Sequence, residues 1–90
     1  MIRVRFTNKR LTVLGHADYA PVGQDIVCAA ASALVYALIG ALEESGNVSE
    51  LVIRPGHVTV AAREEDPAFR LVRRGMTQLA GRYPDHVRVE

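Results

Sequence analysis

The sequence predicts an α/β (α+β) fold, a two-layer sandwich in which two helices lie on a five-stranded mixed sheet. Three observations lead to this prediction. Short segments alternate polar and apolar residues, two longer segments are typical of helices, and the elements follow the order β-β-α-β-β-α-β. A chain of 90 residues is long enough for one modest core, so we expect a single domain over residues 1–90.

The first half of the chain is predicted to contain a hairpin, a loop and a long helix. Residues 2–7 alternate apolar and polar side chains, and residues 11–14 resume the strand pattern after a short turn. Residues 15–24 have no periodicity and include two glycines and a proline, which indicates a mobile loop. Asp25 is a good N-cap for a helix that continues to about Glu44.

The second half repeats this pattern of hairpin and helix. Residues 51–53 and 58–61 form two short strands across a Pro-Gly turn. Asp66 is the predicted N-cap of the second helix, with proline at its first position, and residues 86–90 form a last strand. The predicted apolar face of the second helix consists of Ala68, Leu71, Val72, Met76, Leu79 and Ala80.

The first helix is apolar almost all the way round, so it needs cover on more than one side. It either lies centrally, between the sheet and the second helix, or packs its spare face on a second copy; we favour the homodimer. Its apolar run from Ile26 to Leu42 is at the low edge of the roughly 17–25 residues that span a bilayer. Because acidic residues flank this run, we expect a buried helix in a cytoplasmic protein, with no membrane partner.

Composition excludes several classes of protein. The net charge of +1 gives no global field for a specific nucleic acid or an anionic membrane. A single cysteine cannot form an internal disulfide, and one thiol with three scattered histidines lacks the ligand spacing of a zinc site. The N-terminal residues contain no apolar segment typical of a signal peptide. We expect no metal and no cofactor.

The residues with chemical potential lie around the start of the first helix. Cys28 is in its first turn, where unpaired N–H groups and the helix dipole stabilise a thiolate and could bind an oxyanion. His16 follows the second strand and could serve as a general base. Asp25 is either the N-cap alone or also a group that orients His16, and Ser32 lies one turn after Cys28. A lone cysteine beside an apolar helix is also often a packed small hydrophobe.

The two motifs of this region carry a resemblance. GHA at residues 15–17 and G-x-DIVCAAxSAL at residues 23–34 resemble the ribosomal-processing cysteine protease family, called Prp. This resemblance implies a small α/β homodimer with a Cys–His dyad. It implies a bacterial endopeptidase that removes an N-terminal extension from ribosomal protein L twenty-seven during ribosome assembly.

Carried over to this chain, the resemblance makes Cys28 the nucleophile and His16 the general base, with Asp25 and Ser32 in support. The loop Ala17 to Gln24 would cover the substrate groove. The candidate substrate-loop residues are Gly15, Ala17, Tyr19 and Gly23. Tyr19 is either an aromatic contact for a substrate side chain or an ordinary exposed tyrosine.

Two other functions compete with this hypothesis. The chain could be a non-catalytic, ribosome-associated module that binds a protein partner in the same groove, with Cys28 as a packing residue. It could also be a thiol redox sensor, although no second cysteine is present to resolve a sulfenic acid. An inert thiol would favour the binding module, and a rapidly alkylated one would favour the enzyme.

Overall fold

The structure is a computed structural model that describes residues 1–90. Its seven elements follow the predicted order β-β-α-β-β-α-β, and the predicted two-layer fold is confirmed. The elements are β1 (Ile2–Phe6), β2 (Arg10–Leu14), α1 (Ile26–Glu44), β3 (Glu50–Arg54), β4 (His57–Ala61), α2 (Pro67–Arg82) and β5 (Val87–Val89).

The five strands form one mixed sheet in the order β3-β4-β2-β1-β5. Strand β5 runs parallel to β1, and every other neighbouring pair is antiparallel. The pairing of β2 with β4 joins the two hairpins, and in its register Leu14 lies opposite His57. The end of β2 therefore lies beside the β3–β4 turn.

The hydrophobic core lies between one face of the sheet and the two helices. From the sheet, Val4, Leu11 and Val60 are fully buried, and from α2, Met76 is fully buried. The helices pack side by side, and α2 also contacts β5. The buried side chains of α1 are Val27, Ala31, Val35, Leu38, Ile39 and Leu42.

Helix α1 does not lie centrally between the sheet and α2, because one of its faces is open. Tyr36 is 52% exposed, and Ala33, Ala37 and Gly40 are exposed as well. By length and composition the helix would pass as a membrane span, with a mean hydropathy of 2.0 over 18 residues. Its buried stripe nevertheless belongs to the core of the domain. No other part of the same chain covers the apolar residues on this open face.

A second uncovered apolar area lies on edge strand β3. Leu51 and Ile53 are in register with Val60 and Val58, so they point to the helical side of the sheet. They are nevertheless 38% and 49% exposed, because neither helix extends over β3.

One detail of the predicted apolar face of α2 is wrong. Leu71 is 73% exposed, whereas Phe69, Val72 and Met76 are the buried residues of the helix. Each residue advances about 100° around a helix, so Leu71 points about 200° away from Phe69. The buried stripe is narrower than the sequence pattern suggests.

Candidate active site

His16 is placed by a sharp turn at the end of β2. Gly15 has a φ of +87°, and a Cβ at this position would collide with the carbonyl oxygen of Met1. Its N–H donates to the carbonyl oxygen of Gly56 at 2.8 Å. Glycine is therefore required here, both for the backbone conformation and for the close approach of two chain segments.

The start of α1 is built around the carboxylate of Asp25. One of its oxygens accepts hydrogen bonds from the N–H groups of Val27 at 3.0 Å and Cys28 at 2.9 Å. The other oxygen accepts from the N–H groups of Tyr19 at 3.0 Å and Ala20 at 3.4 Å. Asp25 is thus the N-cap that the sequence predicts, and it also fastens the preceding loop to the helix.

These hydrogen bonds favour the ionised form of Asp25. The Cys28 N–H lowers the pKa of this carboxyl most, partial desolvation raises it, and the Tyr19, Ala20 and Val27 N–H groups lower it further. The net result is a pKa below the ordinary value of an aspartate.

The hydrogen bonds of Asp25 also occupy two of the N–H groups at the start of α1. The sequence predicts these groups as donors to an oxyanion, but those of Val27 and Cys28 are both bonded to Asp25. The carboxylate also places a negative charge where the helix dipole is positive. Asp25 makes no hydrogen bond to His16, so its hydrogen bonds are those of a cap and loop anchor.

Cys28, His16 and Ser32 line two pockets that share these three residues. The inner pocket, of about 180 Å³, lies between α1 and the β3–β4 turn and is also lined by Tyr36 and His57. The outer pocket, of about 630 Å³, lies under the loop that precedes α1. No hydrogen bond joins the Cys28 thiol to the His16 imidazole in this structure. Both residues nevertheless line the inner and the outer pocket, which together form a groove.

The β3–β4 turn is a part of the site that the sequence does not indicate. Gly56, with a φ of +71°, lies so close to His16 that an added Cβ would be 3.1 Å from the imidazole Nε2 atom. His57 lines the inner pocket, and its Nε2 atom is 3.1 Å from the hydroxyl of Thr59. The Pro-Gly turn is evident in the sequence, but its proximity to His16 depends on the pairing of β2 with β4.

In the loop between His16 and Asp25, the first residues are anchored to the C-terminal part of the chain and the later ones form a wall of the outer pocket. Tyr19 packs edge-on against Tyr83 and His86, with ring centroids 5.4 and 5.3 Å apart, so it lies outside both pockets. The imidazole Nδ1 of His86 is 2.8 Å from the carbonyl oxygen of Ala17, which is itself buried. Gly23, by contrast, lines the outer pocket. To the two roles that the sequence leaves open for Tyr19, a substrate contact or an ordinary exposed tyrosine, the structure adds a third: its ring packs on Tyr83 and His86 and fastens the loop.

Comparison with known proteins gives consistent sequence matches. A family model described as cysteine protease Prp matches residues 1–88. A Mycoplasma genitalium protein named ribosomal processing cysteine protease Prp is 29% identical over 94 residues, covering 97% of this chain and 92% of the relative. A Mycoplasma pneumoniae protein of the same name is 47% identical over 36 residues, or 40% of this chain and 36% of the relative.

Solved structures share the fold. The essential ribosomal processing protease Prp of S. aureus, with a covalently linked product peptide, superposes with a TM-score of 0.83 at 19% identity. The match covers 99% of this chain and 95% of that one. The Streptococcus mutans protein SMU.848 has a TM-score of 0.78 at 27% identity, covering 100% of this chain and 92% of the other.

The hydrogen bonds of Asp25 predict that the stability of the loop before α1 depends on pH. Because the folded state lowers the pKa of Asp25, its stabilisation of the loop is complete above the pKa of the unfolded chain. It is lost as the pH falls through the folded pKa, below about pH 4. We expect the protection factors of the amides of residues 18–28 to fall severalfold there, measured by hydrogen exchange with mass spectrometry and corrected for the intrinsic pH dependence of exchange.

Asp25→Asn should show that loss of protection already at neutral pH. Asp66→Asn, which changes the N-cap of α2, is the matched control and should leave residues 18–28 protected. Equal exchange of these residues in the wild type and in Asp25→Asn would contradict the role given to the carboxylate.

Because Gly56 lies against the imidazole of His16, a methyl group added at position 56 should move that side chain. Gly56→Ala and Gly46→Ala should each cost about 1–2 kcal/mol, because both glycines have a positive φ. Only position 56 has His16 beside it, since a Cβ at Gly46 has no neighbour within 4 Å. We expect the imidazole resonances of His16 in an NMR spectrum to shift in Gly56→Ala alone; shifts of similar size in both variants would disprove the contact.

Proposed function

The chain belongs to the cysteine protease Prp family, and on that basis we propose that Cys28 and His16 form the catalytic dyad of an endopeptidase. Members of this family hydrolyse peptide bonds. The observation that supports these two residues is their position on the same two pockets, at the point where the pockets meet. Ser32 lines both pockets too and would contact the bound peptide or the thiol.

The proposed reaction has two stages. His16 takes the proton of the Cys28 thiol as the sulfur attacks the scissile carbonyl carbon, and a tetrahedral intermediate forms. The intermediate collapses with loss of the amine product, which receives that proton, and leaves a thioester on Cys28. His16 then deprotonates a water molecule, which attacks the thioester and releases the carboxylic acid product and the thiol.

We propose the N-terminal extension of ribosomal protein L twenty-seven as the substrate. The relatives' name, ribosomal processing cysteine protease, supports a ribosomal substrate. A groove with an outer pocket of about 630 Å³ has room for several side chains of an extended peptide. Because ribosomes are assembled in the cytoplasm, this function also implies a cytoplasmic protein.

The test is mass spectrometry of full-length ribosomal protein L twenty-seven incubated with the wild type, Cys28→Ala, His16→Ala or His57→Ala. We expect the wild type to release one discrete N-terminal peptide. Cys28→Ala and His16→Ala should lose about 10³-fold or more of the rate, as removal of a nucleophile or its base does elsewhere. His57→Ala is the matched control, since it changes the other histidine that lines the inner pocket, and it should retain most of the activity.

Cleavage by Cys28→Ala at the wild-type rate would disprove the nucleophile. Loss of activity in His57→Ala but not in His16→Ala would transfer the role of base to His57. Tight binding of the peptide without cleavage by the wild type would instead favour the non-catalytic binding module.

We also propose that the protein is a homodimer, with the open face of α1 in the interface. That face combines an exposed aromatic residue, Tyr36, with the small residues Ala33, Ala37 and Gly40, which permit close approach of a second helix. The exposed apolar residues Leu51 and Ile53 of β3 point to the helical side of the sheet and extend the apolar surface.

A charge on that face should separate the two copies. We expect Ala37→Glu to shift the sedimentation coefficient from that of a dimer to that of a monomer, because an unpaired carboxylate is costly to bury. Leu71→Glu is the matched control on the exposed part of α2 and should leave the dimer intact. A wild-type protein that sediments as a monomer at high micromolar concentration would rule out this interface.

A further inference from the structure

The sheet has a second face, which the helices do not cover. Strand alternation places Ile2, Val4 and Leu11 on the core side and their neighbours on this outer side. Five arginines from four different strands share the outer face, and all are exposed: Arg3, Arg5, Arg10, Arg54 and Arg88. We call it the arginine face.

The register aligns three of these arginines in one row across the sheet. Arg88 lies beside Arg3, Arg3 beside Leu14, Leu14 beside His57, and His57 beside Arg54. At about 4.8 Å between neighbouring strands, the row spans about 19 Å from β5 to β3. It is a linear arrangement of cations rather than a compact cluster.

Most of this positive charge is not neutralised within the chain. Arg5 pairs with Glu90 and Arg10 with Glu50, whereas Arg3, Arg54 and Arg88 have no carboxylate within 4.0 Å. With five arginines and two glutamates the face carries +3, although the whole chain carries only +1. The remainder of the molecule, with six basic and eight acidic side chains, is therefore net negative.

We propose that the arginine face binds the phosphate backbone of structured RNA without reading its sequence. Guanidinium groups remain charged and present paired N–H donors that match phosphate oxygens. A row of about 19 Å is long enough to meet several successive phosphates of an RNA duplex, since even in B-form DNA these lie only about 3.4 Å apart along the axis of each strand. The face has no exposed aromatic residue on which a base could stack, so binding should depend on the backbone alone.

The observations favour RNA over other occupants of this face. A second copy of the chain would bring two arginine faces of like charge together, which is unfavourable. The choice of RNA rather than another polyanion rests on the proposed function at the ribosome. The row also ends at Arg54 and His57, in the turn beside the inner pocket. Because Arg54 and His57 also line that pocket, a bound RNA would reach its rim.

The test is fluorescence anisotropy of a labelled RNA hairpin of about 20 base pairs, titrated with the full chain at 50 and 200 mM salt. Neutralising three phosphates gives a slope of about −2.7 in log–log salt dependence, so affinity should fall roughly fortyfold between these conditions. We expect the double variant Arg3→Glu/Arg88→Glu to weaken binding at 50 mM salt at least tenfold. The matched control is Arg70→Glu/Arg74→Glu on α2, which has the same net charge and should bind within about twofold of the wild type.

Several results would overturn the proposal. These are no binding by the wild type at 50 mM salt, equal losses in the two double variants, or tighter binding of poly-glutamate, which would assign the face to an acidic polypeptide. If the glutamate variants unfold, as circular dichroism would show, Arg3→Gln/Arg88→Gln and Arg70→Gln/Arg74→Gln make the same comparison. Peptide cleavage is measured in parallel on a free peptide, so a failure of the proposed function is detected separately from a failure to bind RNA.

Discussion

Antiparallel pairing of β2 with β4 joins two hairpins that α1 separates along the chain, and its register determines what surrounds the candidate site. Because Leu14 lies opposite His57, the chain leaves β2 beside the β3–β4 turn, and Gly15 bonds to Gly56 there. The two glycines allow the two segments to approach closely, and the imidazole of His16 fits against the turn. A one-residue slip would turn the core side chains of β4 to solvent, so burial of Val60 and partial burial of Val58 hold the register.

The sequence is sufficient for the elements of this fold but not for their arrangement. Alternation, caps and turn residues depend on neighbours along the chain, and therefore Asp25, Pro67 and the Pro-Gly turn mark their elements correctly. Strand order and register depend on contacts between distant residues, which leave no local pattern. For that reason the sequence indicates Cys28 and His16 as a pair through their motifs, yet gives no sign that Gly56 and His57 lie beside them. Tyr19 is the converse case, since an exposed loop tyrosine gives no indication of the two rings, Tyr83 and His86, against which it packs.

At the start of α1, Asp25 satisfies backbone N–H groups but also places a negative charge near the Cys28 thiol. A cysteine in a first helical turn benefits from the positive end of the dipole, but a helix start also needs its N–H groups satisfied. Asp25 satisfies two of those groups and two from the loop, at the cost of placing a carboxylate near the thiol. In the proposed mechanism, the N–H groups of Val27 and Cys28 are therefore not free to stabilise an oxyanion at Cys28 while they remain bonded to Asp25.

The attachment of the loop to His86 and Tyr83 has a consequence for the time at which the site first forms during synthesis. Ala17 and His86 are 69 residues apart, so the loop has no anchor until the ribosome has added that length of chain. At about 5–20 residues per second, this takes roughly 3–14 s after residue 17 is made. Until then β5 is also missing from the edge of the sheet, and Val4 and Ile2 have no partner there. A nascent chain with both Cys28 and His16 already translated thus still lacks the packing that holds the wall of its groove, and cleavage by incompletely synthesised molecules is disfavoured.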